Sequence, residues 1–254
     1  MNHRHIELLE LVNINGRIEV ATLSEKLDVS QVTIRKDLAL LEDSGLLKRE
    51  HGFAVMISSD DISNRLAFNY EVKHKIAVLA AKIVENGETV MIESGCCCAL
   101  LAQELATNKR DVTIITNSAF IASHIRKCPH GKVVLLGGDY QRESQVVVGP
   151  ITRKCIESFY VDKLFVGTDG FTEKSGFTGK NHMRTETVRA MAENANSVIV
   201  LTESIKFSKQ GVVAQFKADE ITTLVTDNNI PEEIKEILLK NKVDVQIVLM
   251  EGKE

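Results

Sequence analysis

At 254 residues, 44% of them hydrophobic, the chain is long for one domain and comfortable for two, with apolar material for sizeable cores. No apolar run approaches the length of a bilayer span and Met1 to His5 is polar, unlike a signal peptide, so a cytoplasmic protein with no membrane partner is expected. Five cysteines, three of them consecutive, form no plausible disulfide framework, and a net charge of −4 argues at first sight against a nucleic-acid partner.

Residues 5–14 read as a first helix, with Ile6, Leu9 and Val12 spaced for burial and Gly16 just past its end. Residues 18–20 suit a short strand, and 21–27 a second helix with Leu23 and Leu27 facing inward. Ser30 is a good N-cap for a third helix, because its hydroxyl can accept an N–H of the first turn. Ile34, Leu38 and Leu41 follow at i, i+4 and i+7 as one buried stripe, and Gly45 stands where a left-handed residue would end the helix. A strand at 46–50, a turn at His51-Gly52 and a return at 53–56 complete a two-stranded wing. Away from the stripe lie Gln31, Thr33, Arg35 and Lys36, whose amide, hydroxyl, guanidinium and ammonium groups suit base edges and phosphates. The first 57 residues hold seven Lys and Arg against nine Asp and Glu, but the bases cluster at this helix and wing, where phosphates would lie.

The run S-x-x-T-I-R-x-D-L followed by L-E-x-x-G-L-L-x-R-x-H-G resembles the winged helix-turn-helix of the DeoR family of bacterial transcriptional regulators. The resemblance implies double-stranded operator DNA as partner, held by a homodimer or homotetramer. Its contacts would be Ser30, Gln31, Thr33, Arg35 and Lys36 on the helix, and Lys48, Arg49 and His51 on the wing. One departure is visible: Phe53 stands where the family usually has a second glycine.

Ser58-Ser59-Asp60-Asp61 is a polar hinge, and residues 62–86 read as helical. This divides the chain into a DNA-binding domain at 1–57, a linker at 58–73 and an α/β domain at 74–254. From Thr89 onward short apolar runs alternate with helical stretches: strands at 89–92, 112–115, 133–136, 163–166, 197–201, 223–225 and 245–249, helices at 97–106, 118–127, 183–194 and 231–240. Such alternation predicts a parallel sheet with helices on both faces and a ligand beyond the carboxyl ends of its strands. The loops there carry Glu93 to Cys98, Asn117, Gly137-Gly138, Thr168-Asp169, Thr202 to Lys206 and Asp227. Ser94-Gly95 opening a helix is a plausible anion cradle.

The motifs IESGCCC, TNS, LLGG, VVVGP, VDKLFVGTDG, ESIKF and VTD extend the resemblance to the family's effector-binding domain, itself related to ribose-5-phosphate isomerase. The fold so implied is α/β, an N-terminal winged helix-turn-helix joined to an isomerase-like domain with a mainly parallel sheet. The effector so implied is a small phosphorylated sugar. Ser94, Gly95, Cys96, Cys97 and Cys98 would hold the phosphate, and Thr168, Asp169, Lys206 and Asp227 would line the sugar site. Asn117, Gly137, Gly138, Lys174 and Glu186 complete the expected pocket. The sequence departs from the family at Glu93-Ser94-Gly95-Cys96-Cys97, where Asp-x-Gly-Thr-Thr is usual, and at Ile205, where a serine is usual. Two hydroxyl donors are thereby lost or weakened to thiols.

Two other readings compete. Asp169, Glu186 and Lys206 could form a catalytic set in a sugar-phosphate isomerase carrying an accessory DNA-binding module. Against turnover, Lys174-Ser175-Gly176-Phe177 is only a fragment of the glycine-rich run of such isomerases, so binding without catalysis is expected, with no cofactor. The cysteine triplet could sense oxidants through a thiolate at a helix N-terminus. Three adjacent residues do not easily aim three sulfurs at one tetrahedral ion, so no metal site is expected. Cys128 and Cys155 read as structural, and His130 and His182 as exposed bystanders.

Overall fold

A computed structural model describes residues 3–43, 46–56 and 60–250, in two compact units at 1–70 and 71–254. Gly45, Ser58 and Ser59, which the sequence reading used as a helix end and a hinge, lie outside the described residues.

The first unit contains α1 (His3–Asn15), β1 (Arg17–Glu19), α2 (Val20–Lys26), α3 (Gln31–Asp43), β2 (Lys48–Glu50), β3 (Phe53–Val55) and α4 (Ile62–Ala67). Gly16 adopts φ 67°, the left-handed conformation that stops α1. Leu8, Leu9, Val12, Leu23, Ile34, Leu38, Leu41, Leu47 and Ala54 form one core. The wing has three strands rather than two, in the order β1-β3-β2, because Arg17–Glu19 pairs antiparallel with the returning strand. His51 at φ 35° and Gly52 at φ 87° make the two-residue loop with positive φ at both positions that matches the twist of a hairpin. Phe53 receives the Arg17 guanidinium over its ring at 3.9 Å, so the side chain at this atypical position braces the wing.

The single helix expected over 62–86 is broken. Asn69 takes φ 51°, its N–H donates to Glu10 Oε1 at 2.8 Å, and a new helix, α5 (Tyr70–Ala81), starts there. The second unit continues with β4 (Thr89–Ile92), α6 (Cys96–Asn108), β5 (Thr113–Thr116), α7 (Ala119–His124), β6 (Lys132–Leu135), β7 (Asp139–Gln141), β8 (Val146–Val148) and α8 (Pro150–Ile156). Then come β9 (Val161–Val166), β10 (Gly170–Thr172), β11 (Gly176–Gly179), α9 (His182–Glu193), β12 (Ala195–Leu201), β13 (Val213–Phe216), β14 (Thr223–Asp227), α10 (Glu232–Lys240) and β15 (Asp244–Val248). A 3-10 turn, Ser204–Ser208, follows β12.

Seven strands form a wholly parallel sheet in the order β15-β14-β12-β9-β4-β5-β6. Met91, Leu164, Val166, Val198, Val200 and Leu224 belong to its core, which explains their near-continuous apolar runs. The chain lays down β4, β5 and β6 in one direction, then returns to the other side of β4 with β9. Strand order therefore reverses between β4 and β9, and the strand ends at this switch point, the β4/β9 crevice, are where sheets of this kind bind ligands. Two small antiparallel sheets, β10-β11-β13 and β7-β8, are additions that the sequence reading did not anticipate.

Candidate functional sites

Helix α3 begins as expected: Ser30 Oγ accepts the Thr33 N–H at 3.2 Å and lies 3.0 Å from the Thr33 hydroxyl. Gln31, Arg35 and Lys36 are exposed on one side, and Arg35 donates to Gln31 Oε1 at 3.1 Å, one turn back. Lys48 and His51 are exposed on the wing. Arg49 is tied down, because Glu42 accepts both its backbone N–H, at 2.8 Å, and its guanidinium. These bonds hold the Glu42 carboxyl below its ordinary range, and they fix the wing to the end of α3.

Asp37 is the residue of this unit whose role is hidden in the sequence. It lies within the buried stripe beside Ile34, Leu38 and Leu41. Arg4 donates to both of its oxygens, at 2.6 and 3.1 Å, and His5 Nε2 sits 3.1 Å away, so the carboxylate pins α3 against α1. The Arg4 bond holds the Asp37 carboxyl below its usual range. A depressed carboxyl contributes stability that is present above the unfolded value, near pH 4, and is lost as pH falls through the folded one. Asp37→Asn should therefore cost about 1–2 kcal/mol at pH 7, discounted because Arg4 is half-exposed, and less at pH 3, below the unfolded value. Hydrogen exchange at the α1 and α3 amides at both pH values measures this; an equal cost at both would show that charge plays no part.

The second site is built at the β4/β9 crevice. Glu93 folds back, and its Oε2 accepts the N–H of Gly95 at 2.9 Å and of Gly167 at 3.1 Å, while Oε1 accepts the Ser94 hydroxyl at 2.6 Å. The two loops pack closely here: a Cβ on Gly95 would stand 3.2 Å from Gly167 Cα. The Gly95 N–H, expected to face a phosphate, is thus already given to the chain's own carboxylate. Helix α6 opens at Cys96 behind an extended Gly95, and no side chain caps it, so the first-turn N–H groups of Cys96, Cys97 and Cys98 make its anion-attracting end.

Two groups that the sequence reading passed over adjoin this end. Lys73 of α5 is 3% exposed, and its Nζ lies 3.7 Å from the equally buried Glu203. A lysine in line with Ile76, Ala77 and Ala80 on a buried helix face was the available signal. Besides burial, the charges of Glu203, Lys73 and Lys206 act on the Cys97 thiol, so all three lie within electrostatic reach of the first turn of α6. Across β5, Asn117 is 1% exposed; its Nδ2 donates to Val147 O at 3.2 Å, whereas its buried Oδ1 has no hydrogen-bond partner.

Other predicted residues serve to frame the crevice. Asp227 spends both oxygens on Ser204, accepting its N–H and its hydroxyl at 2.6 Å each, and so fixes the turn that carries Lys206. Thr168 donates to Gly170 O at 2.8 Å, and Asp169 Oδ2 accepts the Lys180 N–H at 2.9 Å. Gly137 and Gly138 pack against α8: Thr152 donates to Gly137 O at 2.8 Å, and a Cβ on Gly138 would overlap the Thr152 hydroxyl. Glu186 is exposed on α9. Lys174, at the turn of the β10–β11 hairpin, lines an open groove with Arg189, Phe216 and Lys217. Buried Gln215 separates that groove from the crevice, donating to Gly167 O at 3.0 Å. Ser94 to Cys98 follow β4, Asn117 follows β5, Thr168 and Asp169 follow β9 and Lys206 follows β12, all beyond the carboxyl ends of the parallel strands, whereas Lys174 lies at the far end of the hairpin.

Cys97 and Cys98 do not suit oxidant sensing. They are buried, and burial pushes both thiols well above their ordinary range, away from the reactive thiolate. Among the described residues no helix is long and apolar enough to cross a membrane.

Comparison with known proteins agrees with this architecture. Residues 4–60 match the DeoR-like helix-turn-helix domain, and residues 68–228 match the DeoR C terminal sensor domain. The HTH-type transcriptional regulator GolR of Listeria innocua is 33% identical over 231 residues, covering 89% of this chain and 91% of that protein. A putative aga operon transcriptional repressor of Escherichia coli O157:H7 is 28% identical over 97% of this chain and 94% of its own. Ribose 5-phosphate isomerase A of Methanocaldococcus jannaschii aligns over 55% of each chain with a TM-score of 0.41 and 20% identity, a level that bears on neither activity nor ligand. A winged helix-turn-helix followed by a sensor unit, matched by both domain families and by relatives along nearly the whole chain, makes this protein a DNA-binding transcriptional regulator of the DeoR family.

Proposed function

We propose that this regulator represses a carbohydrate-utilisation operon from the cytoplasm, as a homodimer or homotetramer, and that a phosphorylated sugar bound at the β4/β9 crevice controls its hold on DNA. The observation that carries the reading is the uncapped first turn of α6 with Lys73 and Lys206 around it and the orphaned Asn117 Oδ1 one strand away. Backbone donors and ammonium groups suit a phosphate, and a buried carbonyl oxygen suits a sugar hydroxyl. The names of the relatives, operon repressors among them, support the same class of role. Lys73 sits in the first turn of α5, at the point where the two units meet in the chain. An effector that engages it differently in two states would bias the DNA-holding state by its difference in affinity for them.

Binding without turnover is part of the proposal. Asp169, the candidate base, has an oxygen committed to the Lys180 N–H, and Lys174 is displaced to the open groove. A panel of aldose and ketose phosphates and their unphosphorylated parents tests the whole reading by thermal shift. The matching sugar phosphate at 100-fold its Kd should stabilise the protein by about 2.7 kcal/mol. It should also change the affinity for a promoter fragment and undergo no isomerisation. A parent sugar as effective as its phosphate would sink the phosphate reading, and measured turnover would favour an isomerase with an accessory DNA-binding module.

A further inference from the structure

Val32 lies in the first turn of α3 and is 60% exposed. On the helical wheel it stands opposite the buried stripe of Ile34, Asp37, Leu38 and Leu41, at the centre of the outward face, with Arg35 and Lys36 one turn on. Nothing in the fold of this unit calls for it. A β-branched side chain lowers helix propensity, and an apolar one in water gains no burial. Beside it, Gln31 Oε1 accepts from Arg35, which leaves the pair presenting donors outward: the Gln31 amide nitrogen and the remaining guanidinium N–H groups. Donors of that kind match the O6 and N7 acceptors of guanine in the major groove, and an apolar surface there matches only the C5 methyl of thymine.

We infer that Val32 is a specificity-determining contact: it packs on the methyl group of a thymine next to the guanine read by Arg35. The Gln31–Arg35 bond holds the guanidinium plane in place, and Val32 fixes the neighbouring base pair. The inference rests on α3 being the helix that enters the major groove.

The experiment uses the full-length protein and a duplex recovered by selection from a random-sequence library. Each thymine of the duplex is replaced singly by deoxyuridine, which removes one methyl group and leaves base pairing intact. For the wild type, one replacement per half-site should weaken binding about fourfold, the loss expected for one buried methyl. Val32→Ala should bind the unmodified duplex more weakly by a similar factor, and the same deoxyuridine should then make no further difference. Its salt dependence should match wild type, since no phosphate contact is lost. Val32→Thr, which keeps one methyl, should retain part of the discrimination. Because Val32 is exposed, neither variant should unfold at a lower temperature, and Val32→Ala should gain slightly from its better helix propensity. If no deoxyuridine weakens the wild type although Arg35→Ala does, or if one weakens Val32→Ala as much as wild type, the thymine contact is wrong. If Arg35→Ala binds as wild type does, the placement of α3 in the groove fails, and the inference fails with it.

Discussion

Lys73→Met should destabilise the 71–254 unit by about 3–5 kcal/mol, the range seen when one partner of a buried ion pair is removed. Methionine fills nearly the same space as the lysine stem, so the loss is electrostatic rather than a matter of volume. What remains is the Glu203 carboxylate, 5% exposed, without the buried ammonium 3.7 Å away. Two charges in a low-dielectric interior offset each other's desolvation only together. The double variant Lys73→Met/Glu203→Leu should therefore recover most of the lost stability. Urea unfolding of the two variants and the parent separates the terms. A single variant as stable as the parent would mean that the pair is solvated, and a double variant no better than the single would assign the loss to packing. The recovered double variant should still respond more weakly to a phosphorylated effector, because one of the two ammonium groups near the α6 terminus is gone while Lys206 remains.

Gly176→Ala should cost about 2–5 kcal/mol. Gly176 opens β11 at φ 67°, a conformation that costs an L-residue about 1–2 kcal/mol. Its added Cβ would lie 2.2 Å from Phe216 O and 2.8 Å from Lys217 Cα. Both are backbone atoms, which cannot swing aside as a side-chain tip could, and overpacking adds a further 1–3 kcal/mol or so. Relief requires β13 to part from the β10–β11 hairpin. Amide protection should then fall first in β13, and Gln215 on that strand should lose its bond to Gly167 O. Gly87→Ala is the control: its φ is 84° but nothing lies within 4 Å of the added Cβ, so it should show the backbone cost alone. Equal losses in the two variants would show that the close approach is relieved at no cost.

The sequence was most legible where a segment's burial depends on its own residues. The apolar runs of β4, β5 and β12 lie within a residue or two of their expected positions, because a strand buried on both faces must be apolar throughout. α3 and its cap were legible for the same local reason. β10 and β11, by contrast, are glycine-bounded segments of three and four residues that look like loop. They pair with each other in a short hairpin, and β11 gains its second partner in β13, which lies well downstream. Charged residues in buried places were the harder class. Asp37, Lys73 and Glu93 read as surface charge or as loop, and each is explained only by a partner that the fold brings from elsewhere: Arg4, Glu203 and the Gly167 N–H. The crevice was foreseeable from strand order, but the direction in which Glu93 folds was not.

That fold-back of Glu93 changes what the sensor responds to. A carboxylate tethered two residues from the Gly95 N–H competes for it intramolecularly, at an effective concentration on the order of millimolar or higher. Stray phosphate and organic acids therefore meet a rival that never diffuses away, and charge alone gives them little hold. A ligand must add something that Glu93 lacks, such as hydroxyl groups for the Asn117 oxygen, before it can displace or bypass the resident anion. If the proposed effector is right, the crevice would thus act as a threshold device, quiet against background metabolites and answering only to a molecule that brings phosphate and sugar together.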